Sequence, residues 1–234
     1  MRRLVPTALL LGAACVQRTP PAPPTTNLPV PPPAEHPAPI EGPERVGYVV
    51  RRGADTMLVE RASRSRDLLS GDLAIRGQGS VEYQVTLDPT GTVSRLVVGV
   101  VPPNAGPAST ARQRSTADFR GDTVVVETVS GDSTRTIRFA TRAGAIPYIT
   151  PSMALAEQIL RRARTIGGSE VELPVFLTSG SIQTITAAVT FVGADSARVA
   201  LGGTEFRLAT DATGRVLGGA VPAQGLTIER TKEP

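Results

Sequence analysis

Three stretches of this chain alternate apolar and polar residues with a strict period of two, and that pattern limits what the chain can become. In VEYQVTLD, Val81, Tyr83, Val85 and Leu87 alternate with Glu82, Gln84, Thr86 and Asp88. EVELPVFLT sets Val171, Leu173, Val175 and Leu177 on one side, and Ile185, Ala187, Val189 and Phe191 form a third stripe opposite Thr184, Thr186 and Thr190. Successive side chains of a strand point to opposite faces, so each stretch reads as a strand with one buried face. Pro174 places the second strand at an edge or a bulge, because proline cannot donate to a ladder. Antiparallel sheet is the structure these faces require.

Turn chemistry recurs between the strands. Ala54-Asp55-Thr56, Gly121-Asp122-Thr123, Gly131-Asp132-Ser133 and Ala194-Asp195-Ser196 share one form. In each, the Asp carboxylate can take up nearby backbone N–H groups. DPTGTV (88–93) and DATGRV (211–216) are a second form, each between two strand patterns. The spacing predicts a meander of hairpins with roughly twelve to fourteen strands. A sheet of that length coils, so a curved sheet or half-open barrel is expected, with Gly99, Gly202, Gly203, Gly218 and Gly219 permitting bends. The loop PPNAGPASTAR (102–112) has almost no apolar anchor and is expected to gate an opening.

One segment has the helical period instead. In TPSMALAEQILRRARTIGG, Thr150 is the expected N-cap, Pro151 the first helical position and Gly167 the stop. Met153, Ala156, Ile159, Leu160 and Ala163 fall on one face, with Glu157, Gln158, Arg161, Arg162 and Arg164 toward the other. A helix near 151–166 is expected to pack on the sheet and connect two groups of strands. The fold class is therefore all-β with one helix.

The N-terminal residues obey other rules. Arg2 and Arg3 precede an apolar run from Leu4 to Leu11, too short to span a bilayer, followed by Gly12, Ala13, Ala14 and the only cysteine, Cys15. This resembles the lipobox of bacterial lipoproteins, although Gly12 stands where that family usually has an aliphatic residue. The resemblance implies that residues 1–14 are a signal peptide and that Cys15 is lipidated and becomes the new N-terminus. With Val16 after it, the family's sorting rule implies the outer membrane. An ordinary secretory signal cleaved near Ala14 is the alternative that these residues leave open. From Gln17 to Pro43 the chain is rich in Pro, Ala and Thr, which favours extended polyproline II over a packed core. Residues 15–43 are thus expected to be a lipidated tether, reaching on the order of 80 Å at ~3.1 Å per residue, and residues 44–234 the folded domain.

The residue inventory excludes more chemistry than it suggests. His36 is the sole histidine and lies in the tether, so the domain has no imidazole for a Ser-His pair or a zinc site. There is no P-loop and no dinucleotide fingerprint, so neither cofactor nor metal is expected. A formal charge of +4 without a basic cluster interleaved with aromatics argues against nucleic acid. DPTG and DATG are similar to the Asp-Thr/Ser-Gly signature of aspartic proteases, but each carries an extra residue and reads as an exposed turn. Asp88 and Asp211 are therefore expected to be solvated, and no catalytic residue is assigned. Glu60, next to Leu58 and Val59, is the other acid considered. It could enter a cavity and pair with Arg76 or Arg95, but a solvated strand face is the expectation. RASRSR (61–66) could hold an anionic head group or a phosphate, with a solvated edge or loop as the expectation.

An anchored, exported domain with many antiparallel strands and one covering helix resembles, in outline, the lipocalin-like and lipoprotein-carrier barrels. That resemblance implies an aliphatic interior able to hold a lipid or another hydrophobic ligand, in a cell-envelope protein that is not an enzyme. The partners so implied are the membrane through the anchor and a lipid or hydrophobic ligand. The alternative is a structural or protein-interaction module with an envelope protein as partner.

Overall fold

The computed structural model describes residues 42–103 and 113–232. The expectations for the signal, Cys15, most of the tether and the gating loop from residue 104 to 112 lie outside the described residues. The first group of strands is β1 (Glu44–Arg52), β2 (Asp55–Arg64), β3 (Leu68–Ile75), β4 (Gly79–Leu87), β5 (Val93–Val101), β6 (Gln113–Arg120), β7 (Thr123–Ser130) and β8 (Ser133–Ala140). A short β9 (Ile146–Tyr148) leads into helix α1 (Met153–Ile166). The second group is β10 (Glu170–Leu177), β11 (Gln183–Val192), β12 (Ser196–Leu201), β13 (Thr204–Thr210), β14 (Val216–Val221) and β15 (Leu226–Thr231). Among the described residues no helix is long and apolar enough to cross a membrane.

All fifteen strands belong to one sheet, in the order β8-β7-β6-β5-β4-β3-β2-β1-β15-β14-β13-β12-β11-β10-β9. The first and last strands meet at its centre, with Val50 opposite Ile228. Every neighbouring pair is antiparallel except β9 with β10, which the helix joins as a parallel crossover. The sheet is curved and not closed: β8 and β9 are its two edges and do not pair. Side chains bring its ends together instead. Phe119 on β6 and Phe139 on β8 meet Phe176 on β10 edge-on, with ring centroids 5.7 and 5.8 Å away. Thr184 Oγ1 donates to Thr141 Oγ1 at 2.7 Å, and Arg142 Nη2 to Thr186 Oγ1 at 2.8 Å.

The alternating stripes are buried as their period requires. Tyr83, Val85 and Leu87 lie inward, as do Val171, Leu173 and Val175, and Ala187, Val189 and Phe191. Pro174 sits where β10 is still an edge, because β9 covers only Val175 to Leu177. The Asp turns join β1 to β2, β6 to β7, β7 to β8 and β11 to β12. Of the three register shifts, the one at Ala209/Thr210 falls opposite Gly218, one of the glycines expected to permit bends, and those at Val50/Arg51 and Thr86/Leu87 fall away from them. Gly219 serves close approach: a Cβ there would stand 2.3 Å from the Arg207 carbonyl oxygen.

Two expectations about α1 are corrected. It starts at Met153, with Ser152 as its cap, because Ser152 Oγ accepts the Leu155 N–H at 3.1 Å. Thr150 is exposed two residues upstream. Gly167, at φ 85, ends the helix as expected. The second correction concerns its polar face. Glu157 and Gln158 are both buried along with seven apolar helix residues. The helix touches strands as far apart in the sheet as β2, β14 and β10. The sheet therefore wraps around it, and α1 fills the concave interior rather than lying across one face.

Candidate functional site

The helix is held inside the curl by two buried carboxylates. Glu60 on β2 is 0% exposed, which overturns the solvated face expected for it. Leu58, Glu60 and Ala62 share the inward face of the strand, so the carboxylate is carried beneath the helix N-terminus. Its Oε2 accepts the N–H groups of Met153 at 2.6 Å and Ala154 at 3.2 Å. Its Oε1 accepts Ser152 Oγ at 2.6 Å and Tyr83 Oη at 2.7 Å. Two helix N–H groups that lack intrahelical partners are thus satisfied by a side chain from the sheet. Burial pushes the Glu60 carboxyl above its ordinary range, against the pull of these four donors. Tyr83 reaches it by lying across Gly71, its partner on β3. Arg76 and Arg95 do not pair with Glu60: they bond Asp55 and Asp118, each at 2.7 Å, near the surface.

One turn further along the helix, Glu157 is 3% exposed and saturated. Its Oε2 accepts Tyr48 Oη at 2.7 Å, the Val216 N–H at 2.9 Å and Arg230 Nη1 at 3.0 Å. Its Oε1 accepts Arg161 Nε and Nη2 at 2.9 and 2.8 Å. Burial raises the Glu157 carboxyl, but Arg161, the Tyr48 hydroxyl and the Val216 N–H outweigh that and hold it below the usual carboxylate range. Glu44 extends the network, with Arg161 and Arg230 each at 3.1 Å and Arg215 at 2.9 Å. These groups come from β1, α1, β14 and β15, so the network fastens both ends of the domain to the helix. Neither acid has a vacant lone pair facing a substrate, and both act as positioning groups.

Asp88 and Asp211 occupy matching turns. Asp88 Oδ1 accepts the N–H groups of Thr90 and Thr92 at 2.8 Å and Thr90 Oγ1 at 2.7 Å. Asp211 Oδ1 does the same with Thr213 and Arg215. The Thr90 hydroxyl and backbone donors hold Asp88 below its ordinary range. Partial burial works against Asp211, yet its turn holds it low as well. A dyad that shares a proton raises one of its members, and these two are both lowered. The turns have a mechanical role: the Gly91 carbonyl accepts Gln158 Nε2 at 3.1 Å, and Gly214 packs against the helix backbone, where a Cβ would meet Leu160 C at 3.1 Å.

Among the described residues, two apolar clefts are open, one of them against the helix. The first, of about 160 Å³, lies at the helix N-terminus between α1 and the second group of strands. Its walls include Val50, Met153, Leu201, Phe206, Leu226 and Ile228, and Tyr148, Thr150, Thr204 and Gln224 bring polar groups to it. Thr150 and Gln224 are exposed, which puts polar groups at the mouth of an apolar slot. The second, of about 170 Å³, lies among β5, β6, β7 and β10. Val100 and Ile182, both exposed large apolar residues, help to line it. An apolar cavity of roughly 150 Å³ accepts a benzene-sized group.

No family model matches the sequence, and no curated protein matches it. Among solved structures, the chain is similar to a DUF1089 family protein from Pseudomonas aeruginosa, with TM-score 0.52 and 15% identity over 71% of this chain and 91% of that one. It is also similar to a β-barrel-like protein of domain of unknown function DUF1849 from Brucella abortus, with TM-score 0.47 and 12% identity over 81% and 95% of the two chains. The first likeness shows a shared fold and nothing more.

Proposed function

We propose that this domain binds a hydrophobic ligand by taking one apolar segment, such as the end of an acyl chain, into the cleft at the N-terminus of α1. The observation that carries the reading is the slot itself: aliphatic and aromatic walls, one open side, and polar residues at the mouth. Pockets for small ligands have this composition, apolar lining with a few placed polar groups. At about 160 Å³ the slot admits a chain end and not a whole lipid, so the rest of an amphiphile would stay at the surface. The same reading makes the protein an exported lipoprotein of the cell envelope, held to the outer membrane by acylated Cys15, without catalytic turnover.

A second reading, a structural or protein-interaction module, is favoured by α1, because a helix that fills the interior leaves little room for cargo. Native mass spectrometry and solvent extraction of the purified protein separate the two. A co-purifying acyl compound, lost when Leu201→Arg blocks the slot, supports ligand binding. Protein free of apolar ligand that also fails to take up an added medium-chain fatty acid supports the module. Mass spectrometry of the N-terminal peptide tests the anchor, and an unmodified N-terminus at another residue removes it.

A further inference from the structure

A different kind of pocket lies at the other end of the helix. The C-terminal half of α1 and the turn between β4 and β5 line an open space of about 460 Å³. Four arginines line it, Arg64, Arg66, Arg161 and Arg162, and Asp88 is the one carboxylate among its lining residues. Asp88 is taken up by its own turn, as described above. Arg161 is held by Glu157 and Glu44, and Arg162 Nη1 donates to the Thr90 carbonyl at 3.1 Å. Arg64 and Arg66 differ, because neither guanidinium has an ion-pair or hydrogen-bond partner among the described residues. Arg64 is the sharper case, since its Nη2 is sealed from solvent with no acceptor. Gln158, 3% exposed, has an unpartnered buried oxygen, Oε1, in the same lining; as an acceptor it does not favour an anion, so the arginines alone carry the argument.

A guanidinium withdrawn from water without an anion is unfavourable, and the unfavourable charge is local here. Burial and the neighbouring Arg161 charge both work against a protonated Arg64, and Glu157 and Glu44 offset them only at a distance. The expectation of a solvated edge or loop for RASRSR holds in part: Arg61, Ser65 and Arg66 are exposed, the last two in the connection to β3, but β2 lies between β1 and β3 and is not an edge. Its last strand residue, Arg64, therefore turns its head group in under the helix, and Arg66 follows in the connection to β3. The carbonyl end of α1 disfavours anions, but that effect is weaker than several converging guanidinium groups. Guanidinium forks match the paired oxygens of a phosphate group.

We infer that this pocket is an anion site for a phosphate group, with Arg64 and Arg66 as its free donors and Arg162 at its rim, the phosphate being either inorganic or the phosphodiester of a lipid head group. The inference is independent of the apolar slot. The test is isothermal titration of the full chain with inorganic phosphate and, separately, with dihexanoylphosphatidylglycerol below its micelle concentration. Saturable phosphate binding is expected, weakened about tenfold by R66Q/R162Q and weakened again by added salt. Tighter binding of the short lipid than of phosphate identifies a head group as the source, and the reverse order identifies a soluble phosphate. Arg64→Met tests the buried donor but removes a group inside the fold, so the surface double variant decides the matter. No saturable binding of either probe, or equal binding by R66Q/R162Q with an unchanged circular dichroism spectrum, overturns the inference.

Discussion

Replacing Glu60 by alanine removes the acceptor from four donors at once. Ser152 Oγ and Tyr83 Oη meet at the same carboxylate oxygen, at 2.6 and 2.7 Å, so the two hydroxyls can turn toward one another when it is gone. The Met153 and Ala154 N–H groups have no such recourse, because helix geometry fixes their direction. A buried donor without an acceptor costs about 1–3 kcal/mol, so the two stranded N–H groups together cost about 2–6 kcal/mol. Relief of the carboxylate's own desolvation offsets the upper part of this, so a net loss of about 2–4 kcal/mol is expected. For a domain of this size that is a fall in Tm of about 4–16 °C. Glu60→Gln keeps the shape and one acceptor, and is expected to lose about 1–3 kcal/mol. Urea unfolding followed by circular dichroism and tyrosine fluorescence measures both losses. Amide hydrogen exchange should show faster exchange at Met153 and Ala154 in Glu60→Gln. If Glu60→Ala and Glu60→Met both unfold within about 0.5 kcal/mol of the parent, the size expected of a neutral surface change, the carboxylate does not hold the helix.

Glu157 is held below its ordinary 4.5, so its contribution to stability is present above that pH and is lost as pH falls through the lowered value. The difference in stability between the parent and Glu157→Gln should accordingly shrink with acidification below about pH 4.5, and a difference that stays constant contradicts the network as described. Gly71→Ala should cost about 2–4 kcal/mol, because its Cβ would stand 2.5 Å from Tyr83 Oη and 2.6 Å from the Arg61 carbonyl oxygen. Thermal melts of Gly71→Ala and Tyr83→Phe check this, and a neutral Gly71→Ala refutes it. Asp88→Ala and Asp211→Ala should each cost about 1 kcal/mol through lost turn bonds, and additivity in the double variant, measured by urea unfolding, tests their independence.

The sheet was legible because its signal is local. A period of two needs only neighbouring residues, and the Asp turns carry their own geometry, so strands and hairpins follow from short windows. The partners were not legible. Glu60 looked like one acid on a solvated strand, yet its own register with Leu58 and Ala62 marked an inward face. Tyr83 within an apolar stripe was a second sign, since a buried hydroxyl needs a partner. What connects them is the position of α1, which only the curl of fifteen strands determines. The same curl explains Glu157 and Gln158: helical periodicity shows which residues oppose one another, but not that the sheet surrounds both faces. The cap moved from Thr150 to Ser152 for a similar reason, since Glu60, 92 residues away in sequence from Ser152, decides where the first free N–H groups begin. The aspartic turns are the converse, a motif that looked chemical and whose carboxylates are consumed locally.

A crystal structure of the domain grown with a saturating medium-chain fatty acid tests the claim of a hydrophobic ligand most directly. Density for the chain end is predicted in the slot between Met153, Leu201, Phe206 and Ile228, with the carboxylate near Thr150 and Gln224 at the mouth. An empty slot at saturation, or acyl density only on the outer face of the sheet, would contradict it.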